Sequence, residues 1–287
     1  MEIITSIDRV DDISYKDFVE NYVNKRIPVV FNNASNWEES KKFTPEFFNE
    51  HFKGRETVLG GTTYSMEQLL DLTAKSTKEK PAPYPTHFEV PEKLPELLDM
   101  LEPMHFNYQK PDWFRSKLFP YGKLGNHIHL FIGGQGNQYV LHRDVFHTNA
   151  WVTQLYGEKK FVIFHGADQD EYLYAKDGEF YSPINILTPD YEKHPKYKNA
   201  RPLEIILQPG DTLYIPNGVW HTTVAYGQNI SLIGNQMNGA NYPAWKNDIY
   251  EFTKRNRNSK LKASINYAWA LYVGTVCKLA ELTGRKF

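Results

Sequence analysis

Apolar and polar positions follow two different patterns along the chain. From about residue 126 to residue 238, short runs rich in β-branched and aromatic residues recur between turn sequences such as YGEK, QPGD and PNG. Many short strands separated by Gly, Pro and Asn turns are typical of an all-β sandwich or barrel, such as a jelly roll. No long helical pattern interrupts these strands, so we predict a mainly β core within an α+β chain.

Helical patterns flank this segment on both sides. Before it, Ser14, Thr44 and Ser65 are suited to capping short helices. After it, one helix is predicted over residues 243–255 and a second over about 259–283. We therefore divide the chain into a unit of residues 1–242, with its β core at about 126–238, and a helical extension of residues 243–287.

The last helix carries an apolar face that is too long for a free tail. Either this face packs against the β core or it forms the seam of a homodimer, and the sequence leaves both alternatives open. Its residues are Leu261, Ile265, Trp269, Tyr272, Val276 and Leu279.

Composition narrows the classes of function. The 287 residues include 33 Lys and Arg against 34 Asp and Glu, a net charge of −1, which argues against a protein that mainly grips nucleic-acid phosphates. A single cysteine, Cys277, excludes an internal disulfide framework and suits a reducing compartment. No export signal or membrane-spanning segment is evident, so a cytoplasmic protein without membrane contact is the expectation.

One constellation of polar residues points to metal chemistry. If residues 139–144 are extended, His142 and Asp144 lie on the same face of the strand. His221 follows a turn–strand–turn segment, LQPGDTLYIPNGVWH, and is the candidate third ligand. Two histidines and one carboxylate on one face of a metal form the facial triad of non-haem Fe(II) oxygenases.

The segment from about residue 130 to residue 238 resembles the cupin-like Jumonji C family of Fe(II)/2-oxoglutarate dioxygenases. The run HRDVFHTNAWVTQLYGEKKFVIF matches the family's HxD, Asn and G-x-K pattern, and PGDTLYIPNGVWH matches its strand with the distal histidine. The pattern is closest to the branch of the hypoxia-pathway asparaginyl hydroxylase and the tRNA wybutosine hydroxylase. The resemblance implies a double-stranded β-helix jelly roll.

The resemblance also implies roles for individual residues. His142, Asp144 and His221 fall on the iron ligands, and Lys159 falls on the lysine that binds the distal carboxylate of 2-oxoglutarate. The neighbouring Lys160 points the other way in a regular strand. Further positions match amides near the metal and co-substrate, or walls of the co-substrate pocket: Asn149, Asn235, Phe131 and Trp151.

Three positions depart from the family pattern. Tyr139 stands where Thr or Ser usually helps to hold the distal carboxylate, and its phenol can donate the same hydrogen bond from a longer arm. His129 shares strand parity with Phe131, so we expect it to face the same cavity. Met237 stands where the protein-hydroxylating relative has a tryptophan, so we expect a different substrate pocket.

The implied reaction is the hydroxylation of a C–H bond with Fe(II), 2-oxoglutarate and O₂, releasing succinate and CO₂. A peptide or protein side chain is the first substrate class, a small molecule the second, and a nucleoside in RNA the least favoured. The alternatives are a non-oxygenase cupin, such as an isomerase or small-molecule-binding module, and an inactive scaffold. Such cupins bind metal through His-x-His and a nearby glutamate; His127 and His129 are present here, but no glutamate follows them closely.

Overall fold

The computed structural model describes residues 4–32, 41–101, 111–119, 124–125, 127–176, 179–256 and 259–284. Within these ranges the strands are β1 (Asp8–Val10), β2 (Val29–Phe31), β3 (Glu56–Leu59), β4 (Thr62–Ser65), β5 (Thr86–Glu89), β6 (Ile128–Gly133), β7 (Asn149–Tyr156), β8 (Lys159–Phe164), β9 (Pro202–Leu207), β10 (Thr212–Ile215), β11 (Trp220–Ala225) and β12 (Asn229–Gln236). The helices are α1 (Tyr15–Phe18), α2 (Pro45–Phe52), α3 (Met66–Ala74), α4 (Val90–Lys93), α5 (Pro95–Leu101), α6 (Gln169–Tyr172), α7 (Tyr242–Asn256) and α8 (Lys260–Leu282).

Two sheets form the jelly roll. The larger has the strand order β1-β2-β10-β7-β12-β6-β5, and the smaller has the order β11-β8-β9. An apolar cluster joins them, because Val152 of β7 and Leu213 of β10 pack with Phe161 and Ile163 of β8. The prediction of a mainly β jelly roll with flanking helices is confirmed.

Local sequence explains where the early helices begin. The side chain of Thr44 accepts a hydrogen bond from the Phe47 amide at the start of α2. Ser65 and Gln68 form a reciprocal capping box at the start of α3. The helix expected after Ser14 is α1, which continues into a π-helical turn at Val19–Val23.

The two C-terminal helices pack against each other through small residues. Ala263, Ala270, Val273 and Cys277 of α8 are buried. Gly274 permits this approach, because a Cβ atom there would lie 2.2 Å from the Tyr242 ring of α7. The division of the chain at residues 242/243 stays a prediction, and α7 begins at Tyr242.

The apolar face predicted on α8 does not pack against the β core as a whole. Trp269 packs on Phe119 and Trp245, but other members of that face are exposed. These are Leu261, Ile265, Tyr272 and Leu279, at 73%, 58%, 62% and 58%. The small residues of α8 are buried instead, because they let the two helices approach closely. The homodimer alternative stays a prediction.

Among the described helices, none is both long and apolar enough to cross a membrane.

Candidate active site

A cavity of about 220 Å³ opens between the two sheets. It is lined by Tyr84, His127, His129, Phe131, Tyr139, His142, Asp144, Val145, Ala150, Val152, Lys159, Phe161, Tyr181, His221, Thr223, Ile233 and Asn235. Most of the residues singled out in the sequence therefore meet in one place. Its walls are largely apolar, with a few convergent polar groups, as is usual for a ligand-binding site.

His142, Asp144 and His221 lie together in this cavity. The backbones of His142 and His221 exchange two hydrogen bonds, of 2.9 and 2.7 Å, and their ring centroids are 4.2 Å apart. One donor atom from each of the three side chains lies within 4.8 Å of the others. The structure thus brings His221 beside His142 and Asp144, although it lies far from them in the sequence.

Hydrogen bonds to the backbone fix both imidazoles in one tautomer. His142 Nδ1 lies 2.9 Å from the Val140 carbonyl oxygen, and His221 Nδ1 lies 3.0 Å from that of Val219. Since a carbonyl oxygen only accepts, each Nδ1 carries a proton, and Nε2 is the nitrogen left to face the cavity. This arrangement leaves one nitrogen of each imidazole available as a metal ligand.

Burial governs the charge of the cluster. It lowers the pKa of His142 well below its ordinary value, and the neighbouring His221 acts in the same direction. Burial also raises the pKa of Asp144. A divalent cation would bind the unprotonated His142, and its charge would offset the cost of keeping the Asp144 carboxylate ionised in a buried place.

Lys159 is a buried cation on another wall of the same cavity. Its side chain is 2% exposed, and its Nζ donates to the Tyr84 hydroxyl at 3.2 Å. Nζ also lies 5.7 Å from the ring centroids of Tyr84 and Phe131. No carboxylate of the described residues comes within ion-pair distance of it. A buried ammonium without a counter-ion is costly, so this position favours an anionic ligand.

The strand parity that distinguished two adjacent lysines is seen in the structure. Lys160 points out of the cavity and pairs with Glu204 at 3.0 Å. Tyr139 contacts both the surroundings of Lys159 and the metal-ligand candidates. Its ring centroid lies 6.2 Å from those of Tyr84 and Phe131 and 4.6 Å from that of His142. Burial raises the pKa of Tyr139, so its hydroxyl stays protonated.

Tyr84 was missed by sequence reasoning. It lies in the proline-rich segment KEKPAPYPTHFEVPEKLP, which has no regular period. Only the folded chain brings this segment beside Lys159. The Tyr–Pro pair is a turn signal rather than a sign of chemistry, so the pattern held nothing that identified it.

Two expected pocket residues lie outside the cavity. Ala150 and Val152 of β7 face inward, so Asn149 and Trp151 occupy the opposite face of the strand. Asn149 Oδ1 accepts from the Asn217 amide at 2.9 Å, which holds the turn before His221. The placement of Asn149 and Trp151 in the pocket was wrong because it followed the motif rather than the parity of β7.

Trp151 instead belongs to an aromatic cluster outside the cavity. It packs on Phe18, Phe31 and Tyr214 at centroid distances of 5.7, 5.7 and 4.9 Å. Its indole Nε1 donates to Gln236 Oε1 at 2.9 Å. The side chain therefore joins the N-terminal helix to the large sheet.

Asn235 and His129 both face the cavity, as expected. Asn235 Nδ2 donates to Thr148 Oγ1 at 2.9 Å. Burial lowers the pKa of His129 to about 3, with smaller contributions from its neighbours His87 and His127. His129 is therefore a neutral imidazole in the cavity wall.

The two remaining residues of interest point elsewhere. His147 Nδ1 lies 2.5 Å from Asp248 Oδ2 of α7, which ties the loop after Asp144 to the C-terminal helices. Met237 is buried among Trp113, Trp245 and the residues around them. Met237 is therefore part of the core and does not line the cavity.

Comparison with known proteins agrees with this geometry. The model of the cupin-like domain family matches residues 62–238. Arginine-specific demethylase JMJ22 of Arabidopsis thaliana is 26% identical over an alignment of 306 positions, which covers 96% of this chain and 56% of the relative. Bifunctional arginine demethylase and lysyl-hydroxylase psr-1 of Caenorhabditis elegans is 24% identical over 264 positions, which cover 80% and 61%.

A further relative is the 2-oxoglutarate and iron-dependent oxygenase JMJD4 of Gallus gallus, 26% identical over 138 positions that cover 47% of this chain and 32% of the relative. The chain thus spans about three fifths or less of the length of these curated relatives. Because the family match extends over more than half of its residues, the chain belongs to the cupin-like domain family.

Proposed function

We propose that this chain is an Fe(II)- and 2-oxoglutarate-dependent dioxygenase that hydroxylates a C–H bond. His142, Asp144 and His221 would hold the iron, because two imidazole nitrogens and one carboxylate form the ligand set of such centres. Lys159 and Tyr84 would bind the distal carboxylate of 2-oxoglutarate through charge-assisted hydrogen bonds.

One observation supports this proposal above the others. Lys159 is buried without a carboxylate partner among the described residues, in the same cavity as the three metal-ligand candidates. A structural jelly roll gains no stability from a buried ammonium without a counter-ion, because its burial is costly. A dicarboxylate that chelates the metal at one end and meets Lys159 at the other explains both features.

When bound, the iron and co-substrate supply the oxidation, in which 2-oxoglutarate and O₂ become succinate and CO₂ while one oxygen atom enters the substrate C–H bond. The protein prepares this step by position and exclusion. The Nδ1 hydrogen bonds orient both imidazoles, and Asp144 contributes the negative charge. Val152, Phe161 and Ile233 line the cavity with apolar surface that keeps bulk water out.

The substrate class that we propose is a peptide or protein side chain. Two of the relatives are named for arginine demethylation, and one of these also for lysyl hydroxylation. In this chain Tyr181 lines the cavity while 52% exposed, so it lies at the mouth, where an exposed aromatic ring suits contact with a long side chain. A small molecule stays the alternative substrate.

Succinate release tests the proposed reaction. The purified chain is supplied with Fe(II), ascorbate, 2-oxoglutarate and peptides that carry methylated or unmodified arginine and lysine. We expect peptide-stimulated succinate in the wild type and none in Asp144→Ala. The proposal would be contradicted if Asp144→Ala released as much succinate as the wild type. It would also be contradicted if a folded, iron-loaded wild type released no succinate, whether or not a peptide was present.

A further inference from the structure

A second cluster of ligand-type side chains lies along the wall of the cavity, apart from the triad. It consists of Glu89, His127 and His129, and one donor atom from each lies within 4.8 Å of the others. His127 and His129 both line the cavity. The function proposed above makes no use of any of the three.

The pairing of two antiparallel strands creates this cluster. Glu89 of β5 lies directly opposite His129 of β6. His127 precedes His129 by two residues, and their ring centroids are 5.1 Å apart. Directly opposed residues and residues two apart share one face of a sheet, so all three side chains converge on the same side.

The second cluster is separate from the triad. Successive ring contacts lead from one to the other: the centroid distances are 5.8 Å from His129 to Phe131, 6.2 Å from Phe131 to Tyr139 and 4.6 Å from Tyr139 to His142. The two sets of ligands have no residue in common. A metal in one set would share no ligand with a metal in the other.

One ring nitrogen of each imidazole in the second cluster lacks a hydrogen-bond partner among the described residues. His127 Nδ1 and His129 Nε2 are buried and have no hydrogen-bond partner within the described ranges. Glu89 is the residue before α4, yet its side chain makes no capping hydrogen bond there. Buried polar atoms are nearly always satisfied, so these unused nitrogens favour a bound ligand at this place.

We infer that Glu89, His127 and His129 bind a divalent transition-metal ion of the zinc type. Two histidine nitrogens and one glutamate oxygen are a known zinc ligand set, with metal–ligand distances of about 2.0–2.2 Å and a fourth position left open. Because His127 and His129 line the cavity, that open position faces it. The glutamate that the sequence lacked after His127 comes from the preceding strand, β5.

The site has a structural consequence. β5 is the edge strand of the seven-stranded sheet, and it pairs only with β6 among the described strands. A metal held by both strands fastens this edge, which otherwise depends on one ladder of hydrogen bonds. The inference rests on this geometry alone and does not depend on the proposed oxygenase activity.

Zinc titration of the metal-stripped chain against a chromophoric chelator tests the inference. We expect the wild type to bind two equivalents of Zn²⁺ and His142→Ala/His221→Ala to bind one. Glu89→Gln in that double variant is expected to weaken the remaining site by more than about tenfold, because changing even an outer partner of a metal ligand typically costs about that much affinity. His129→Gln serves as a second variant, and circular dichroism confirms that each variant is folded.

His51→Gln is the matched control, because His51 is an exposed histidine on α2, outside both clusters. It is expected to bind zinc as the wild type does. The inference would be overturned if the folded His142→Ala/His221→Ala variant bound no zinc, or if Glu89→Gln and His129→Gln left its zinc affinity unchanged. A failure of the triad to bind metal would instead appear as one equivalent in the wild type that is lost with Glu89→Gln.

Discussion

At the scale of single residues, Lys159 is the most informative side chain. Its ammonium is buried beside Tyr84. Removing one member of the buried charge pair that it would form with the distal carboxylate of 2-oxoglutarate costs about 2 kcal/mol or more. We expect Lys159→Met to raise the KM for 2-oxoglutarate by about thirtyfold or more.

The adjacent lysine gives a matched control for this prediction. Lys160 differs from Lys159 in facing outward toward Glu204. Lys160→Met should leave the KM for 2-oxoglutarate within about twofold of the wild type, because a surface ion pair contributes little. Equal effects of the two substitutions would contradict a specific role for Lys159.

Some residues of the site could be predicted from local sequence, and others could not. Local strand geometry placed His142 and Asp144 on one face and separated Lys159 from Lys160, whereas the expected role of Lys159 came from the family resemblance. Asn149 and Trp151 were misplaced because a motif match does not state which face of β7 a residue occupies. Strand parity places Asn149 and Trp151 together on one face of β7, but only the structure shows that the other face, with Ala150 and Val152, borders the cavity.

At the scale of elements, the short 3₁₀ turn at Trp113–Arg115 contains a pH-sensitive cap. Asp112 accepts hydrogen bonds from the Phe114 amide at 3.1 Å and the Met237 amide at 3.2 Å. Burial nevertheless raises the pKa of Asp112 from an ordinary 3.8 to about 7. Between these values the folded chain holds a proton that the unfolded chain has lost.

The free energy of unfolding should therefore fall as the pH rises from about 4 to about 7, and this contribution should level off above pH 7. Asp112→Asn keeps an acceptor for both amides and removes the titration, so its stability should decline less over this range. Urea midpoints at several pH values measure the difference, with the exposed Asp99→Asn as the control. Parallel pH profiles for Asp112→Asn and the wild type would refute the assignment.

The contacts of Tyr84 and Glu89 could not be predicted from the pattern of helices and strands. Both belong to the segment between α3 and α4, where prolines interrupt any period. Their partners, Lys159 and His129, lie far along the chain and meet them only through tertiary packing and the pairing of β5 with β6. The existence of strands and helices was predictable from local pattern, whereas these long-range meetings were not.

At the scale of the whole molecule, the exposed face of α8 predicts self-association. Ile265, Tyr272 and Leu279 follow one another at intervals of seven residues and are each more than half exposed. An apolar stripe of this kind is typical of a helix–helix interface. We expect a homodimer in solution.

Light scattering at micromolar concentration checks the homodimer. Ile265→Glu/Tyr272→Glu should give a monomer with an unchanged circular dichroism spectrum, because both side chains are exposed in the single chain. Lys278→Glu, an exposed change elsewhere on α8, is the control and should stay dimeric. A monomeric wild type would show that this face does not form a dimer.

The central claim is that one cavity holds both a metal ion and 2-oxoglutarate. It is tested most directly by adding Fe(II) and 2-oxoglutarate to the chain without oxygen and recording the visible absorption spectrum. We predict the weak charge-transfer band of an iron-bound keto acid in the wild type and in His51→Gln, and its loss in His221→Ala. A folded, iron-loaded wild type without this band would contradict the account.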